Sequence, residues 1–195
     1  MEKRIKITRN TTETQIVMEF DVQGEGEVDV STSLPYLDHL LTLLGFWGRF
    51  YLKVRASGDI DVDAHHLIED IGLCLGDAFR GSLGEKKGIS RMGWAKVPMD
   101  ESLVEVVVDL SGRPYLVYNN DEILPWLIFG EERDVWREFF KSFSTRGGMN
   151  LHIGFVYGKN GHHLIEAAFK ALGIALRRAL SPMGDGVAST KGMVE

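Results

Sequence analysis

The chain has 195 residues, of which 44% are hydrophobic and 26% are charged, and its formal net charge is −6. These are the proportions of an ordinary globular protein, long enough to bury a real core as one domain or as two small fused halves. The negative charge disfavours nucleic acid as the main partner, and no apolar run approaches the roughly 20 residues that cross a membrane. The first residues also lack the apolar region of a signal peptide, and the single Cys74 cannot form an internal disulfide. We therefore expect a cytoplasmic protein with no membrane contact, in which Cys74 is a small core residue.

Hydrophobic periodicity and turn residues predict the elements of the first half in order. Strands are expected at 4–8, 14–21 and 25–32, a helix at 35–46, a strand at 50–56 and a helix from 65 to about 83. A group of glycines (Gly81, Gly84 and Gly88) then marks a break in the chain.

The second half repeats this order. Strands are expected at 95–97, 103–110 and 114–118, a helix at about 131–143, a strand at 149–157 and a final helix ending at 180. The pattern β-β-β-α-β-α thus occurs twice, which predicts an internally duplicated α+β fold with sheets covered by helices. We expect half-repeats at 1–88 and 89–195, fused into one structural unit. The tail at 184–192 has the composition of a flexible terminus, although Ser189 and Lys191 could help it to order around an anion.

The pentapeptide His-His-Leu-Ile-Glu occurs at 65–69 and again at 162–166. Residues four apart on a helix share a face, so His65 can act with Glu69, and His162 with Glu166. The second histidine of each copy, His66 or His163, projects about 100° away and could serve a second ion or an ion held by the other repeat. One such motif is more often a polar helix face, but two identical copies favour a divalent metal such as Mn, Fe, Co or Zn.

Two further histidines complete the set. His39 lies in an apolar-flanked stretch and His152 in a predicted strand, so each alone would more often be a core histidine than a ligand. With the motifs present, six histidines and two glutamates give eight donors, four for each of two ions, with coordination positions left for a substrate.

The ordered motifs together resemble imidazoleglycerol-phosphate dehydratase, a family of histidine-biosynthesis enzymes, over nearly the whole chain. The blocks that carry the resemblance are 13–16, 37–40, 63–70, 97–101, 109–115, 150–153, 157–163 and 189–192. The resemblance implies a duplicated α+β unit that assembles into a particle of twenty-four subunits, with active sites between neighbouring subunits and two manganese ions in each.

The resemblance also implies a role for each matching residue. The metal ligands implied are His39, His65, His66, Glu69, His152, His162, His163 and Glu166. The phosphate-binding residues implied are Arg91, Arg113, Lys170, Ser189 and Lys191. Ala188 stands where the family usually has proline, and this departure is expected to loosen the tail beside Ser189.

The implied reaction removes water from D-erythro-imidazoleglycerol phosphate and gives imidazoleacetol phosphate. Ionisation of the metal-bound imidazole would help to expel the hydroxyl group, after which a general base removes a carbon-bound proton. We expect Glu13 to be that base. Two other classes share part of the pattern: a two-metal phosphatase, which would release inorganic phosphate, and a metal-storage or structural protein, which would need only the donors.

Overall fold

The computed structural model describes residues 4–192, and its first half contains four strands and two helices. They are β1 (Ile5–Asn10), β2 (Thr14–Asp21), β3 (Val28–Ser31), α1 (Pro35–Gly48), β4 (Tyr51–Gly58) and α2 (His65–Leu83). Every element predicted for this half is present. The helix α1 continues two residues beyond the prediction and ends where Arg49 adopts a left-handed conformation with φ 57°.

The second half contains the same elements and one addition. They are β5 (Met92–Met99), β6 (Ser102–Asp109), β7 (Tyr115–Asn119), β8 (Leu127–Ile128), β9 (Glu131–Glu132), α3 (Arg133–Gly147), β10 (Asn150–Tyr157) and α4 (Gly161–Ala179). The addition is the segment between β7 and α3, which holds a short 3-10 turn at Asp121–Ile123 and the small β8–β9 hairpin. The sequence prediction missed this hairpin, because strands of two residues are too short to show alternation.

The two sheets have identical topology, which confirms the predicted duplication. The first has the order β1-β2-β4-β3 and the second the order β5-β6-β10-β7. In each, the first three strands pair antiparallel and the last strand pairs parallel to its neighbour. Alternate residues of each strand are buried, as in β6, where Val104, Val106 and Val108 are fully buried. One face of each sheet therefore packs on helices and the other faces outward.

The helices of one half pack against the helices of the other half. Helix α2 covers β2 and α4 covers β5 and β6, while α1 contacts α4 and α3 contacts α2. The two crossings use equivalent glycines. A Cβ at Gly76 would lie 2.8 Å from the Phe143 carbonyl oxygen, and a Cβ at Gly173 would lie 2.7 Å from the Leu44 carbonyl oxygen. The duplicated helices thus touch backbone to backbone, and neither half has a separate core.

The tail is held against the start of the second sheet, contrary to the flexibility that its composition favours. The Gly88 N–H donates to the Gly186 carbonyl oxygen over 2.8 Å, and the Met183 N–H donates to the Gly88 carbonyl oxygen over 2.8 Å. Arg91 Nη1 also donates to the Ala188 carbonyl oxygen over 2.9 Å. These contacts bring residues 188–191 next to Arg91.

Cys74 is buried, as its apolar neighbours predict, and burial raises the pKa of its thiol to about 11. In the part of the chain from 4 to 192, no helix is long and apolar enough to span a membrane.

Candidate metal centre and active site

Both repeated His-His motifs lie at the start of a helix, and both starts are stabilised in the same way. The His65 N–H donates to Asp63 Oδ1 over 2.8 Å, and the His162 N–H donates to Asn160 Oδ1 over 2.9 Å. In each case a side chain two residues upstream accepts one of the backbone N–H groups that a helix leaves unpaired at its first turn. The motifs are therefore held at equivalent ends of α2 and α4.

Three of the predicted ligands meet between α1 and α4. The His39 Nε2 atom lies 3.0 Å from Glu166 Oε2, and the His162 Nε2 atom lies 2.8 Å from the same oxygen. One ligand atom from each residue lies within 4.8 Å of the others, and this is the one such group of three among residues 4–192. Two imidazoles and a carboxylate suit a divalent transition metal, so the residues present fit a metal ion.

Glu166 is ionised in this cluster although it is almost fully buried. Burial opposes the charged form, but hydrogen bonds from Lys170, His39 and His162 outweigh it and lower the pKa of Glu166 to about 2. The shortest contact joins Lys170 Nζ to Glu166 Oε1 over 2.6 Å. An anionic carboxylate is the form that binds a metal, so Lys170 keeps this ligand ready for binding.

Aromatic rings cover one side of the cluster. The Tyr36 and Phe129 rings stack with centroids 3.6 Å apart, and the Phe129 ring lies 4.9 Å from that of His162. Phe129 comes from the β8–β9 hairpin, which the first half lacks. The two halves therefore differ around their equivalent histidines.

The first motif is more open. The His65 Nε2 atom lies 3.5 Å from Glu69 Oε2, with both side chains about two-fifths exposed. The next histidine, His66, directs Nδ1 to Asp59 Oδ2 at 3.1 Å and lies 4.0 Å from Glu13 Oε2. The hydrogen bond to Asp59 is the main reason that the pKa of His66 is raised. Within one chain these donors do not join the cluster of three.

His163 points away from that cluster as well. Its Nδ1 atom lies 2.7 Å from Glu101 Oε2, and its Nε2 atom lies 3.7 Å from Asp100 Oδ2. The hydrogen bond with His163, followed by the bond from the Asn160 N–H, lowers the pKa of Glu101 to about 2.

His152 lies on the outer face of the second sheet. Its register neighbours are Val107 on β6 and Val117 on β7, and Val107 pairs in turn with Trp94 on β5. The β10 side chains that face the helices are instead Leu151, Ile153 and Phe155. Because alternate strand residues point to opposite faces, His152 lies across the sheet from α4.

The predicted base Glu13 lies in a tightly bonded turn before β2. Thr11 Oγ1 accepts hydrogen bonds from the Glu13 N–H at 3.1 Å and the Thr14 N–H at 2.9 Å. Thr14 Oγ1 donates over 2.5 Å to the buried Asp70, whose carboxylate also contacts Arg9 Nε at 2.8 Å. The backbone at Glu13 is thus held to α2, while its side chain remains half exposed.

Four of the five predicted phosphate-binding residues line one pocket of about 840 Å³. They are Arg91, Arg113, Ser189 and Lys191. Arg91 also forms a two-point contact with Asp109, at 2.6 and 2.8 Å. The fifth residue, Lys170, lies outside this pocket and forms an ion pair with Glu166. The pocket combines two guanidinium groups with a hydroxyl and an ammonium group, which suits an anion such as phosphate.

Sequence reasoning gave no role to Asp59 or Glu101, the two carboxylates that contact His66 and His163. A signal was present for Glu101, because it stands immediately before β6 as Glu13 stands immediately before β2. Asp59 follows a Ser-Gly turn and gives no comparable pattern.

A duplicated α+β fold with paired His-His-x-x-Glu helices, a His/His/Glu cluster that fits a metal ion and a pocket that suits an anion is the arrangement expected of a metal-assisted enzyme for small phosphorylated molecules. The model of the imidazoleglycerol-phosphate dehydratase (IGPD) family matches residues 32–176. The chain is 58% identical to the imidazoleglycerol-phosphate dehydratase of Oleidesulfovibrio alaskensis over 97% of this chain and 96% of that protein. It is 55% identical to that of Maridesulfovibrio salexigens over 100% of this chain and 99% of that protein. The chain belongs to the imidazoleglycerol-phosphate dehydratase family.

Solved structures agree with this membership. The IGPD of Pyrococcus furiosus superposes with a TM-score of 0.83 at 38% identity, over 96% of this chain and 100% of that one. The Staphylococcus aureus protein superposes with a TM-score of 0.81 at 33% identity, over 94% of this chain and 100% of that one.

Proposed function

We propose that this protein is a hydro-lyase that removes water from D-erythro-imidazoleglycerol phosphate and forms imidazoleacetol phosphate in histidine biosynthesis, with manganese as its metal. Family membership over the full chain carries this proposal. The anion pocket and the His/His/Glu cluster support it, because the substrate needs both a phosphate site and a metal site.

Eight donors would hold two manganese ions in the complete site. The ligands are His39, His65, His66, Glu69, His152, His162, His163 and Glu166. Three of them already stand together with Glu166 ionised, which supports ligation at that end. Manganese bound there would supply Lewis-acid polarisation of the substrate imidazole and so favour loss of its N–H proton.

Glu13 acts as the general base that removes the carbon-bound proton. Its carboxylate lies near His66, one of the proposed ligands, and its backbone is held by Thr11, so it can reach a substrate placed at the metals. The substrate phosphate binds in the pocket formed by Arg91, Arg113, Ser189 and Lys191. Lys170 reaches the same substrate from the side of Glu166.

The complete site forms between copies of this chain in a homo-oligomer of twenty-four subunits. The separation of the donors within one chain supports this arrangement, since His152 lies on an outer sheet face and the His66 and His163 groups point elsewhere. The same outer face carries exposed Met92, Trp94 and Tyr115, which suit contact with another copy.

We also propose that the first half-repeat covers residues 1–88 and the second covers residues 89–195. Residues 1–3 and 193–195 lie outside the described part of the chain. The enzyme works in the cytoplasm, where the other steps of an amino-acid biosynthesis would supply its substrate.

The direct test incubates manganese-loaded protein with imidazoleglycerol phosphate and follows the products by mass spectrometry. A product lighter by one water molecule, with its phosphate retained, is expected. Release of inorganic phosphate would support a two-metal phosphatase instead. No reaction in protein with confirmed metal occupancy would contradict both activities.

A further inference from the structure

The second histidine of each repeated motif directs Nδ1 to a carboxylate. His66 Nδ1 lies 3.1 Å from Asp59 Oδ2, and His163 Nδ1 lies 2.7 Å from Glu101 Oε2. A histidine that donates from Nδ1 carries its proton there and leaves the Nε2 lone pair available to a metal. The two contacts are therefore of the kind that orients a ligand without touching the ion.

The two carboxylates come from different places in the repeat. Glu101 stands immediately before β6, in the position that Glu13 occupies before β2. Asp59 follows β4 directly, and the position that corresponds to it at the end of β10 is Gly158. The second half thus uses the residue before its second strand to hold its histidine, whereas the first half uses the residue after its fourth strand.

We infer that Asp59 and Glu101 are positioning residues that set the ring orientation and proton location of His66 and His163 for metal binding. Because Asp59 orients His66, Glu13, which is the counterpart of Glu101, is not needed to orient a ligand histidine. Glu13 Oε2 remains 4.0 Å from His66 Nδ1 and half exposed, so its carboxylate can face a substrate. The duplication has produced one carboxylate that holds a ligand and one that is available for chemistry.

The surroundings of Glu101 support a fixed role. Its Oε1 accepts the Asn160 N–H at 2.9 Å and the Lys159 N–H at 3.2 Å, while Oε2 faces His163. Both oxygens are therefore occupied, and the carboxylate cannot turn toward a substrate without breaking these bonds. Asp59 is held through its backbone, since its N–H donates to the Glu13 carbonyl oxygen over 3.0 Å.

The inference rests on the proposed metal site, and manganese titration of the whole protein tests it. The unaltered protein is compared with Asp59→Ala and Glu101→Ala, and free Mn²⁺ is followed by electron paramagnetic resonance. Each alanine variant should bind manganese about 10- to 100-fold more weakly, the usual effect of losing a carboxylate that orients a ligand histidine. The conservative variant Asp59→Asn should recover much of this loss, because an amide oxygen still accepts from the His66 Nδ1–H. Glu101→Gln should recover less, because both oxygens of Glu101 accept N–H bonds and the amide keeps only one acceptor.

Matched controls separate positioning from general loss of negative charge. Asp61→Asn alters an exposed carboxylate in the same loop as Asp59, and Glu105→Gln alters one on β6 that pairs with Lys96 at 2.8 Å. Both should bind manganese as the unaltered protein does. Circular dichroism of every variant checks the fold, and the Asn and Gln variants keep the test open should an alanine variant misfold.

The outcomes distinguish this inference from the proposed function. Full manganese affinity in folded Asp59→Ala and Glu101→Ala would overturn the positioning role while leaving the metal site in place. Equal losses in Asp59→Ala and Asp59→Asn would also overturn the role of Asp59, since loss of negative charge alone would then account for the effect. Absence of manganese binding by the unaltered protein would contradict the metal site itself and this inference with it.

Discussion

At the residue scale, the same motif has different surroundings in its two copies. Glu166 is buried and receives hydrogen bonds from Lys170, His39 and His162. Glu69 is more than one-third exposed, and its ion pair with His65 is longer, at 3.5 Å. The first repeat has no counterpart of Lys170, because Leu73 stands at the equivalent position in α2. The identical pentapeptides therefore give one preformed cluster and one open pair.

Glu13→Gln should abolish most turnover while preserving binding. Gln keeps the size of the side chain and the backbone bonds to Thr11, but it cannot accept a proton at neutral pH. Loss of a general base typically lowers the rate by about 10²- to 10⁴-fold. Steady-state kinetics should show that fall in kcat with little change in KM, and metal analysis should show unchanged manganese.

Glu25→Gln, which alters an exposed carboxylate in the turn after β2, is the control and should have normal kinetics. Full activity in Glu13→Gln would remove Glu13 from the role of base. If the variant instead lost manganese in proportion to its loss of activity, Glu13 would be a metal ligand and not the base.

At the element scale, the halves are joined by two equivalent helix crossings that depend on the absence of a side chain. A Cβ at Gly76 would also lie 2.9 Å from the Gly147 nitrogen, and one at Gly173 would lie 2.9 Å from the Gly48 nitrogen. Backbone atoms cannot move aside as a flexible side chain can, so a methyl group would force the helices apart.

Gly76→Ala and Gly173→Ala should each destabilise the protein. Alanine favours a helix by about 1 kcal/mol over glycine, but overpacking a close crossing commonly costs about 1–3 kcal/mol or more, and the clash here is with backbone. We expect the clash to prevail and the free energy of unfolding to fall, as measured by urea denaturation of metal-free protein.

Gly81→Ala is the matched control within α2. The three atoms nearest to its Cβ would all belong to the Ile5 side chain, at 3.3–3.5 Å, and that side chain can adjust. That variant should be as stable as the unaltered protein or slightly more stable. Equal stability of Gly76→Ala and Gly81→Ala would show that the crossing has room for a methyl group.

Local pattern predicted the duplicated elements because strand alternation and helix periodicity are properties of short segments. The exchange of helix partners between halves could not be predicted in this way, since α1 contacts α4 through residues far apart in sequence. The β8–β9 hairpin was not predicted, because its two-residue strands are too short to show an alternating pattern. Asp59 and Glu101 were missed as partners of histidine because only the folded chain brings them to His66 and His163.

At the scale of the whole molecule, the eight proposed ligands are distributed over several surfaces. The cluster of three lies between α1 and α4, the pair of His65 and Glu69 begins α2, and His152 lies on the outer face of the second sheet. Motif spacing and the family resemblance predict all of these residues as donors. They do not indicate which donors share an ion, because that depends on how copies of the chain pack.

His152→Ala should weaken manganese-dependent assembly while leaving the fold of the subunit intact. The side chain is exposed on the outer face of the sheet, so its removal should cost little stability. If it binds an ion whose other ligands belong to a neighbouring copy, its loss removes a link between subunits. Analytical ultracentrifugation with and without manganese should show the unaltered protein forming the large particle on metal addition, and the variant remaining in smaller species.

Lys53→Ala provides the control, because Lys53 occupies the equivalent position on β4 and faces outward from the first sheet beside Glu19 and Asp29. This variant should assemble as the unaltered protein does. A complete, manganese-loaded particle from His152→Ala would show that His152 is not a required ligand. Retention of the particle by unaltered protein after exhaustive chelation would instead show that contacts such as the exposed Trp94 face hold the subunits together without metal. The two experiments therefore separate a metal-linked assembly from one held by apolar contact alone.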